Sequence, residues 1–289
     1  MDRYCDLHTH SVFSDGTYTP EALLREAEER NLAAIALTDH NTVSGLPDFL
    51  AAARGREVAA VPGVEFSTDY NGIELHILAL YLQEEYFSQV TDLMEDYNRR
   101  KDQSNADLVS KLNQTGYQID YDKIKLSTPK GQVNRALIAA ELMKLGYVES
   151  IQEAFKHLLS PKHGYYTPPR RHTPSEMLGI VRDLGAVSVL AHPYLNLTQQ
   201  QLVPFLDDAV KQGLQGMEVY YSTYDAPTTQ LALATAEAYR LLPSGGSDFH
   251  GQNKPDIRLG EGRGELRVPA GFADKLKTLA QKEKKQKFL

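Results

Sequence analysis

The sequence predicts an α/β protein built on a parallel β-sheet, either doubly wound or closed into a barrel. Two observations carry this prediction. Short, almost uniformly apolar segments alternate with amphipathic segments along most of the 289 residues, and uninterrupted apolar strands are typical of sheets that helices cover on their faces. A chain of this length can also bury the large core that such a sheet requires.

The predicted strands begin near the N-terminus and recur as far as residue 244. They are Tyr4–Leu7, Leu32–Leu37, Val58–Val61, Ile73–Leu80, Ala186–Leu190, Gly216–Tyr220 and Leu241–Ser244. The predicted helices between them are Thr19–Leu24, Val43–Arg54, Ser175–Leu184, Gln200–Gln212 and Thr228–Arg240. The first helix has the clearest start, because Thr19 is a suitable N-cap and proline follows at the first helical position.

Residues 83–165 interrupt this alternation with helical patterns alone. Phe87, Val90 and Met94 recur at helical spacing, as do Ile138 and Leu142, and such stripes are typical of packing faces. We therefore predict a helical insert at 83–165, which divides a sheet domain made of residues 1–82 and 166–289. Whether the insert moves as a lid stays open.

The composition excludes several classes of protein. The net charge of −7 argues against a protein that coats nucleic acid along its length. No apolar run approaches 18 residues, so no membrane-spanning helix is expected. The single cysteine, Cys5, excludes an internal disulfide, and together with the lack of a secretory signal it predicts a cytoplasmic protein.

The chemistry is concentrated at the ends of the predicted strands. Six of the nine histidines and three carboxylates lie within or directly after these strands. They are His8, His10, Asp15, His40, Glu65, His76, His192, Asp248 and His250. In a closed β/α barrel the carboxyl ends of the strands lie on one face, so residues spread over some 240 positions would converge there.

These residue types predict a metal centre. His8 and His10 are two positions apart, so in a strand they point to the same side and can bind one ion. Imidazole and carboxylate ligands together suit zinc, manganese or iron, and no cysteine accompanies these motifs. A single histidine would more often be an ordinary core or surface residue, but six histidines and three carboxylates at strand ends favour the metal centre.

The motifs resemble those of the PHP family, the polymerase and histidinol phosphatase domain. The matching segments follow the family order along most of the chain: Asp6–His10, Ser14–Gly16, Thr38–His40, Gly63–Glu65, Glu74–His76, Ala191–Pro193 and Ser247–His250. The resemblance implies a distorted, TIM-like barrel of seven β/α units with a helical insert, and a centre of two or three metal ions.

The resemblance also implies a role for each ligand. One ion would be held by His8, His10, Glu65 and Asp248. Glu65 would bridge to a second ion held with His76 and His192, where a metal-bound hydroxide would attack phosphorus. A third ion would be held by Asp15, His40 and His250. The metals would be manganese, iron or zinc.

Other polar residues have less certain roles. Asp6 and Asp39 adjoin ligands and would either orient imidazoles from the second shell or form hydrogen bonds at strand ends. For substrate binding we expect Arg135, Arg170 and His172 to contact phosphate, since arginine pairs well with phosphate oxygens. Arg135 has no carboxylate near it in sequence, so it is predicted to be free to meet a second phosphate.

The sequence thus predicts a metal-dependent phosphoesterase that hydrolyses a phosphate ester of a small nucleotide, such as a nucleoside 3′,5′-bisphosphate. A 5′-3′ exonuclease acting on short RNA or DNA, a histidinol-phosphate-type phosphatase and an amidohydrolase are alternatives within enzyme chemistry. A non-catalytic metal-binding domain is the alternative from a different class. The substrate, the metals, any protein partner and the oligomeric state stay open.

Overall fold

A computed structural model of the protein describes residues 3–128 and 133–287. In these ranges one sheet contains eight strands in the order β7-β6-β5-β4-β3-β2-β1-β8. The strands are β1 (Tyr4–Asp6), β2 (Ala34–Leu37), β3 (Ala59–Tyr70), β4 (Ile73–Leu80), β5 (Val187–Leu190), β6 (Gly216–Tyr221), β7 (Leu242–Gly246) and β8 (Val268–Pro269). All seven predicted strands are present, and the short β8 is the one that was not predicted.

The two ends of the β1–β7 series meet, which gives the sheet the shape of a barrel. Leu7 N donates to Gly245 O at 3.1 Å, and Asp248 N donates to His8 O at 2.8 Å. Thr9 and Phe249 form a parallel bridge just beyond these bonds. The sheet is therefore a nearly closed barrel, and of the two predicted sheet types the barrel is confirmed.

The prediction of a wholly parallel sheet is wrong at two strands. β4 runs antiparallel to both β3 and β5, and β8 runs antiparallel to β1. β3 and β4 form a hairpin that turns at Asn71 and Gly72, both with positive φ, and a tight hairpin makes its strands antiparallel. Apolar strand composition alone does not distinguish the two directions.

The helices fall into two groups, those that surround the barrel and those between β4 and β5. Around the barrel lie α1 (Pro20–Glu29), α2 (Leu46–Ala52), α7 (Pro174–Asp183), α8 (Pro193–Asn196), α9 (Gln199–Ala209), α10 (Ala226–Ala238) and α11 (Ala270–Lys287). After β4 come α3 (Phe87–Gln114), α4 (Tyr121–Leu126), α5 (Arg135–Lys144) and α6 (Ile151–Ala154), with short 3₁₀ and π turns at Glu84–Tyr86, Phe155–Leu159 and Pro161–His163. The predicted N-cap is present, because the Thr19 side chain accepts from Ala22 N.

Helix α3 connects the barrel to the insert. Its first turns pack Phe87, Val90 and Met94 into the main core, whereas Leu108 and Leu112 pack in a separate core with the later insert helices. Because β4 is antiparallel to β3 and β5, it ends at the barrel face opposite the predicted metal ligands, and the 28-residue α3, about 42 Å long, carries the chain back. The domain boundaries at 82/83 and 165/166 stay a prediction.

Strand alternation determines which side chains face the barrel interior. Val61, Leu78 and Val189 belong to one interior cluster. Glu65 lies at an even spacing from Val61 and His76 at an even spacing from Leu78, so both point inward as well. None of the helices formed by the described residues is both long enough and apolar enough to span a bilayer.

Candidate metal centre

Glu65 lies at the centre of a buried cluster of imidazoles. Its Oε2 is 3.1 Å from His8 Nε2 and 3.2 Å from His10 Nε2. Its Oε1 is 2.7 Å from His76 Nδ1 and 3.0 Å from His192 Nε2. The two carboxylate oxygens thus face two different pairs of histidines, as the predicted bridging role requires.

The remaining predicted ligands extend the same cluster. Asp248 Oδ1 lies 3.2 Å from His10 Nε2, and Asp15 Oδ1 lies 3.2 Å from His250 Nε2. His40 lies between two carboxylates: its Nε2 is 3.9 Å from Asp15 Oδ2, and its Nδ1 is 3.0 Å from Glu65 Oε2. All nine predicted ligands are therefore brought together, while the ion that each would hold stays a prediction.

The backbone is constrained where it presents these ligands. His192 and Asp248 have φ values of 29° and 54°, a region that residues other than glycine seldom occupy and that often marks functional sites. Gly246 lies where β7 passes His8, and a Cβ atom there would be 2.4 Å from His8 Cβ. Glycine is required at this point so that the two strand ends can approach each other.

Cations fit this arrangement because buried ligand atoms lack partners. Among the described residues, His10 Nδ1, Asp15 Oδ1, His40 Nδ1 and Glu65 Oε2 are buried without a hydrogen bond, although buried polar atoms normally have one. Three overlapping sets of ligand atoms, each within 4.8 Å, include His8/His10/Glu65, His40/Glu65/His76 and His10/Asp15/His40/His250. A carboxylate and histidine set of this kind suits divalent ions.

The pKa values of His10, His76 and Glu65 show the same demand for positive charge. Burial by itself would lower the pKa of His10, but Asp248 and Glu65 outweigh it and raise that pKa to about 9. Burial would also lower the pKa of His76, but Glu65 and Glu74 outweigh this effect and raise that pKa to about 10. Burial raises the pKa of Glu65, but the nearby histidines hold it well below its usual range. Protons bound to these imidazoles would have to leave when metal binds.

Glu218 orients two of the ligands. Its Oε1 accepts from His8 Nδ1 at 3.1 Å, and its Oε2 accepts from the backbone N–H of His192 at 2.7 Å. Because the carboxylate accepts a hydrogen bond from Nδ1–H of His8, the Nε2 atom of the neutral ring directs its lone pair toward the cluster.

Asp6 and Asp39 hold strand ends and do not contact the imidazoles. Asp6 accepts from Ser247 N at 2.8 Å and Gly260 N at 2.7 Å. Asp39 accepts from Ser11 N at 2.8 Å and Ser14 Oγ at 2.5 Å. Of the two roles expected for them, strand-end hydrogen bonding is the one that the structure contains. Asp39 thereby fixes the turn that presents Asp15.

A cavity of about 150 Å³ adjoins the cluster on the insert side. Arg135 lines it, but the expectation that Arg135 is free is wrong, because its Nη2 lies 3.3 Å from Glu74 Oε2. Its guanidinium also lies 4.4 Å from the ring centroid of Tyr166 and donates to Leu159 O at 3.2 Å. The carboxylate partner is 61 residues away in sequence, so no local pattern could reveal it.

The predicted contacts Arg170 and His172 do not line this cavity. They line an adjoining groove, where His172 Nδ1 lies 3.8 Å from Glu176 Oε2. Arg171 lines the cavity instead, and its Nη2 is 2.9 Å from Glu74 Oε2. Extended backbone directs successive side chains to opposite sides, which is why the residue between the two predicted ones faces the cavity.

Three further residues at the cavity escaped the sequence analysis. Glu74 pairs with both arginines, Lys101 of α3 lines the wall, and Asn134 donates to Asp15 Oδ2 at 2.5 Å. Only Glu74 had a usable signal, since it lies two positions before His76 on the same face of β4. Lys101 and Asn134 stand in helical surroundings that resemble ordinary surface sequence.

Comparison with known proteins agrees with this geometry. The PHP domain model matches residues 6–166. The chain is 31% identical over 275 residues to the 5′-3′ exoribonuclease Rnm of Escherichia coli, covering 92% of this chain and 90% of that protein. It is 26% identical over 247 residues to the 3′,5′-nucleoside bisphosphate phosphatase of Chromobacterium violaceum, covering 85% and 86%. A solved structure from Bifidobacterium adolescentis, described as a metal-dependent phosphoesterase, superposes with a TM-score of 0.83 at 26% identity over 96% of both chains.

Proposed function

The chain belongs to the PHP domain family of metal-dependent phosphoesterases, and we propose that it hydrolyses a phosphate ester of a small nucleotide bearing two phosphate groups, such as a nucleoside 3′,5′-bisphosphate. One observation carries the choice of substrate. The buried ligand cluster adjoins a cavity whose described lining residues include three cationic side chains, Lys101, Arg135 and Arg171, and one carboxylate, Glu74. A phosphate at the cluster and an anion in the cavity fit one bisphosphorylated nucleotide.

We infer that two or three divalent ions of manganese, iron or zinc are bound by the nine clustered residues. When bound, such ions neutralise phosphoryl oxygens and make a water molecule acidic enough to act near neutral pH. The chain itself supplies the geometry. Glu65 presents its two oxygens to two groups of histidines, and Glu218 fixes the ring of His8. His40 and His76 form the wall shared by the cluster and the cavity, so a substrate in the cavity has one end at the cluster.

The test is release of inorganic phosphate from adenosine 3′,5′-bisphosphate. We expect turnover with manganese, loss of turnover with a chelator, and recovery when manganese is returned. Elemental analysis should give two or three ions per chain. Full turnover by metal-stripped protein in chelator, or no release from any nucleotide with metal present, would overturn the proposal.

Exonucleolytic cleavage of short RNA is the second candidate, because the exoribonuclease of Escherichia coli matches 92% of the chain at 31% identity. A 5′-phosphorylated dinucleotide separates the two activities. Release of a mononucleotide indicates the exonuclease, whereas release of phosphate alone indicates the phosphatase. A cytoplasmic location stays a prediction that rests on the single cysteine.

A further inference from the structure

The cavity beside the cluster has an excess of positive charge. Arg135 and Arg171 both approach the same oxygen of Glu74, at 3.3 and 2.9 Å. Burial raises the pKa of Glu74, but His76 and these arginines outweigh it and keep that pKa well below its ordinary value, so the carboxylate is ionised. Lys101 lies on the same wall, so the described residues that line the cavity include three cations and one carboxylate, an excess of two positive charges.

Lys101 is the cation of this cavity that has no partner among the described residues. The residue is partly buried, and its ammonium makes no hydrogen bond or ion pair within 4.0 Å to any of them. Partial burial of an unpaired ammonium is costly, and burial lowers the pKa of Lys101 more than the more distant Asp15 and Glu74 raise it. The charge therefore has its natural partner in an anion that enters the cavity from solution.

Arg171 gives a second, independent sign of a missing ligand. Its side chain is only 7% exposed, and its Nε is buried without a hydrogen-bond acceptor among the described residues. Since Arg135 is occupied by Glu74, Leu159 and the ring of Tyr166, Lys101 and Arg171 are the groups with binding capacity left. Both face the cavity whose other wall is formed by His40 and His76.

We propose that Lys101, together with Arg171, forms a subsite for a phosphate oxyanion of the substrate that is not cleaved. This inference rests on the proposed function, which places the scissile phosphate at the metal cluster. The oxyanion is the second phosphate of a mononucleotide or, in a 5′-phosphorylated oligonucleotide that is cleaved after its first nucleotide, the terminal 5′-phosphate. Arg135 then holds Glu74 and the insert in place and does not bind phosphate directly.

The test uses Lys101→Met in the manganese-loaded enzyme. One charge-assisted phosphate contact contributes about 1.5–3 kcal/mol, or roughly tenfold to a hundredfold in binding. We expect kcat/KM for adenosine 3′,5′-bisphosphate to fall by that factor. For adenosine 3′-monophosphate and 5′-monophosphate, whichever is turned over, we expect a change of less than about threefold, because each carries only the scissile phosphate.

Two variants on the same helix serve as controls. Lys101→Arg keeps the charge and should retain most of the selectivity for the bisphosphate. Arg99→Ala removes a cation that is 77% exposed and paired with Asp96, and should change no substrate. The melting temperature of Lys101→Met should stay equal or rise, because the change removes an unpaired charge, whereas loss of a structural residue would lower it.

The outcomes separate the possible errors. Equal losses on the bisphosphate and the monophosphates would place Lys101 at the scissile phosphate and overturn the subsite, as would no loss on any substrate, the 5′-phosphorylated dinucleotide included. A loss on the dinucleotide but not on the bisphosphate assigns the subsite to the terminal 5′-phosphate of an oligonucleotide, and the reverse assigns it to the second phosphate of a mononucleotide. If the wild-type enzyme releases no product, the proposed function fails. Calorimetric titration of the holoenzyme with adenosine 3′,5′-bisphosphate then tests the subsite alone, and an unchanged Kd for Lys101→Met would overturn it.

Discussion

The ligand cluster of the barrel and the cavity on the insert side differ in charge, although they lie within a few ångströms of each other. The barrel face gathers carboxylates and imidazole lone pairs around Glu65, whose oxygens lie 2.7–3.2 Å from histidine nitrogens. The cavity on the insert side is lined, in the part of the chain that the structure describes, by three cations and one carboxylate. The first region requires cations and the second requires an anion, and a substrate phosphate together with metal ions would satisfy both.

The two regions also differ in how their residues are fixed. The ligands are fixed by strand ends and by backbone hydrogen bonds, such as those that Asp6 and Asp39 accept. The insert residues are fixed by contacts between distant side chains, Arg135 with Glu74 and Asn134 with Asp15. Substitutions at the barrel face should therefore abolish metal binding, whereas substitutions in the insert should only weaken metal or phosphate binding.

Glu65→Gln should have the largest effect. The amide keeps the shape but loses the charge that faces two groups of histidines, so more than one ion should be lost by elemental analysis. Phosphate release should fall by roughly a hundredfold or more, beyond the effect of removing an outer partner of a ligand. Glu57→Gln is the matched control, since Glu57 is exposed just before β3 and should change neither quantity. Near-normal metal content in Glu65→Gln would exclude the bridging role.

Glu218→Gln should have an intermediate effect. Two N–H groups, His8 Nδ1 and the His192 backbone, donate to the two oxygens of Glu218. Glutamine offers one oxygen and an NH₂ group, so one of the donors is left facing another donor. Metal affinity should drop by about 10–100-fold, measured by competition with a chelator of known affinity. An unchanged affinity would mean that the orientation of His8 does not depend on Glu218.

Asn134→Ser should have the smallest effect and sharpens the contrast most. Asn134 caps α5 by accepting from Leu137 N at 2.9 Å, and its other amide atom bonds Asp15. Serine also caps helices well but is too short to reach Asp15, so the insert should keep its stability. One hydrogen bond to a carboxylate contributes about 1.5–3 kcal/mol. Because water can partly replace this bond, we expect the affinity for an ion bound at Asp15 to fall by about tenfold.

Asn134→Asp is the companion variant. It retains the cap but sets a second carboxylate against Asp15, so it should alter metal content at Asp15 in a way that Asn134→Ser does not. Identical metal titrations for the wild type and both variants would show that the insert does not influence the cluster.

The barrel and its ligands could be predicted from sequence because both depend on short-range rules. Strand ends of a β/α barrel share one face, so His8, Glu65, His192 and Asp248 had to converge once the strands were recognised. The direction of β4 could not be predicted in this way, because an apolar strand has the same composition in either direction. His76 nonetheless reached the cluster, since alternation fixes which face it occupies but not which way the strand runs.

The residues that gather at the strand ends, and the chemistry they suit, could be predicted from the chain alone because periodicity and spacing act within a few residues. The side chains of the cavity follow only from the folded structure: Arg135 pairs with Glu74, Arg171 lines the cavity whereas Arg170 does not, and Lys101 forms no ion pair with any described residue. These facts depend on contacts between residues up to about a hundred positions apart, which arise when α3 runs back along the barrel. The strength of an ion pair depends on the distance between the two charged groups in the folded protein, and no local sequence pattern specifies that distance.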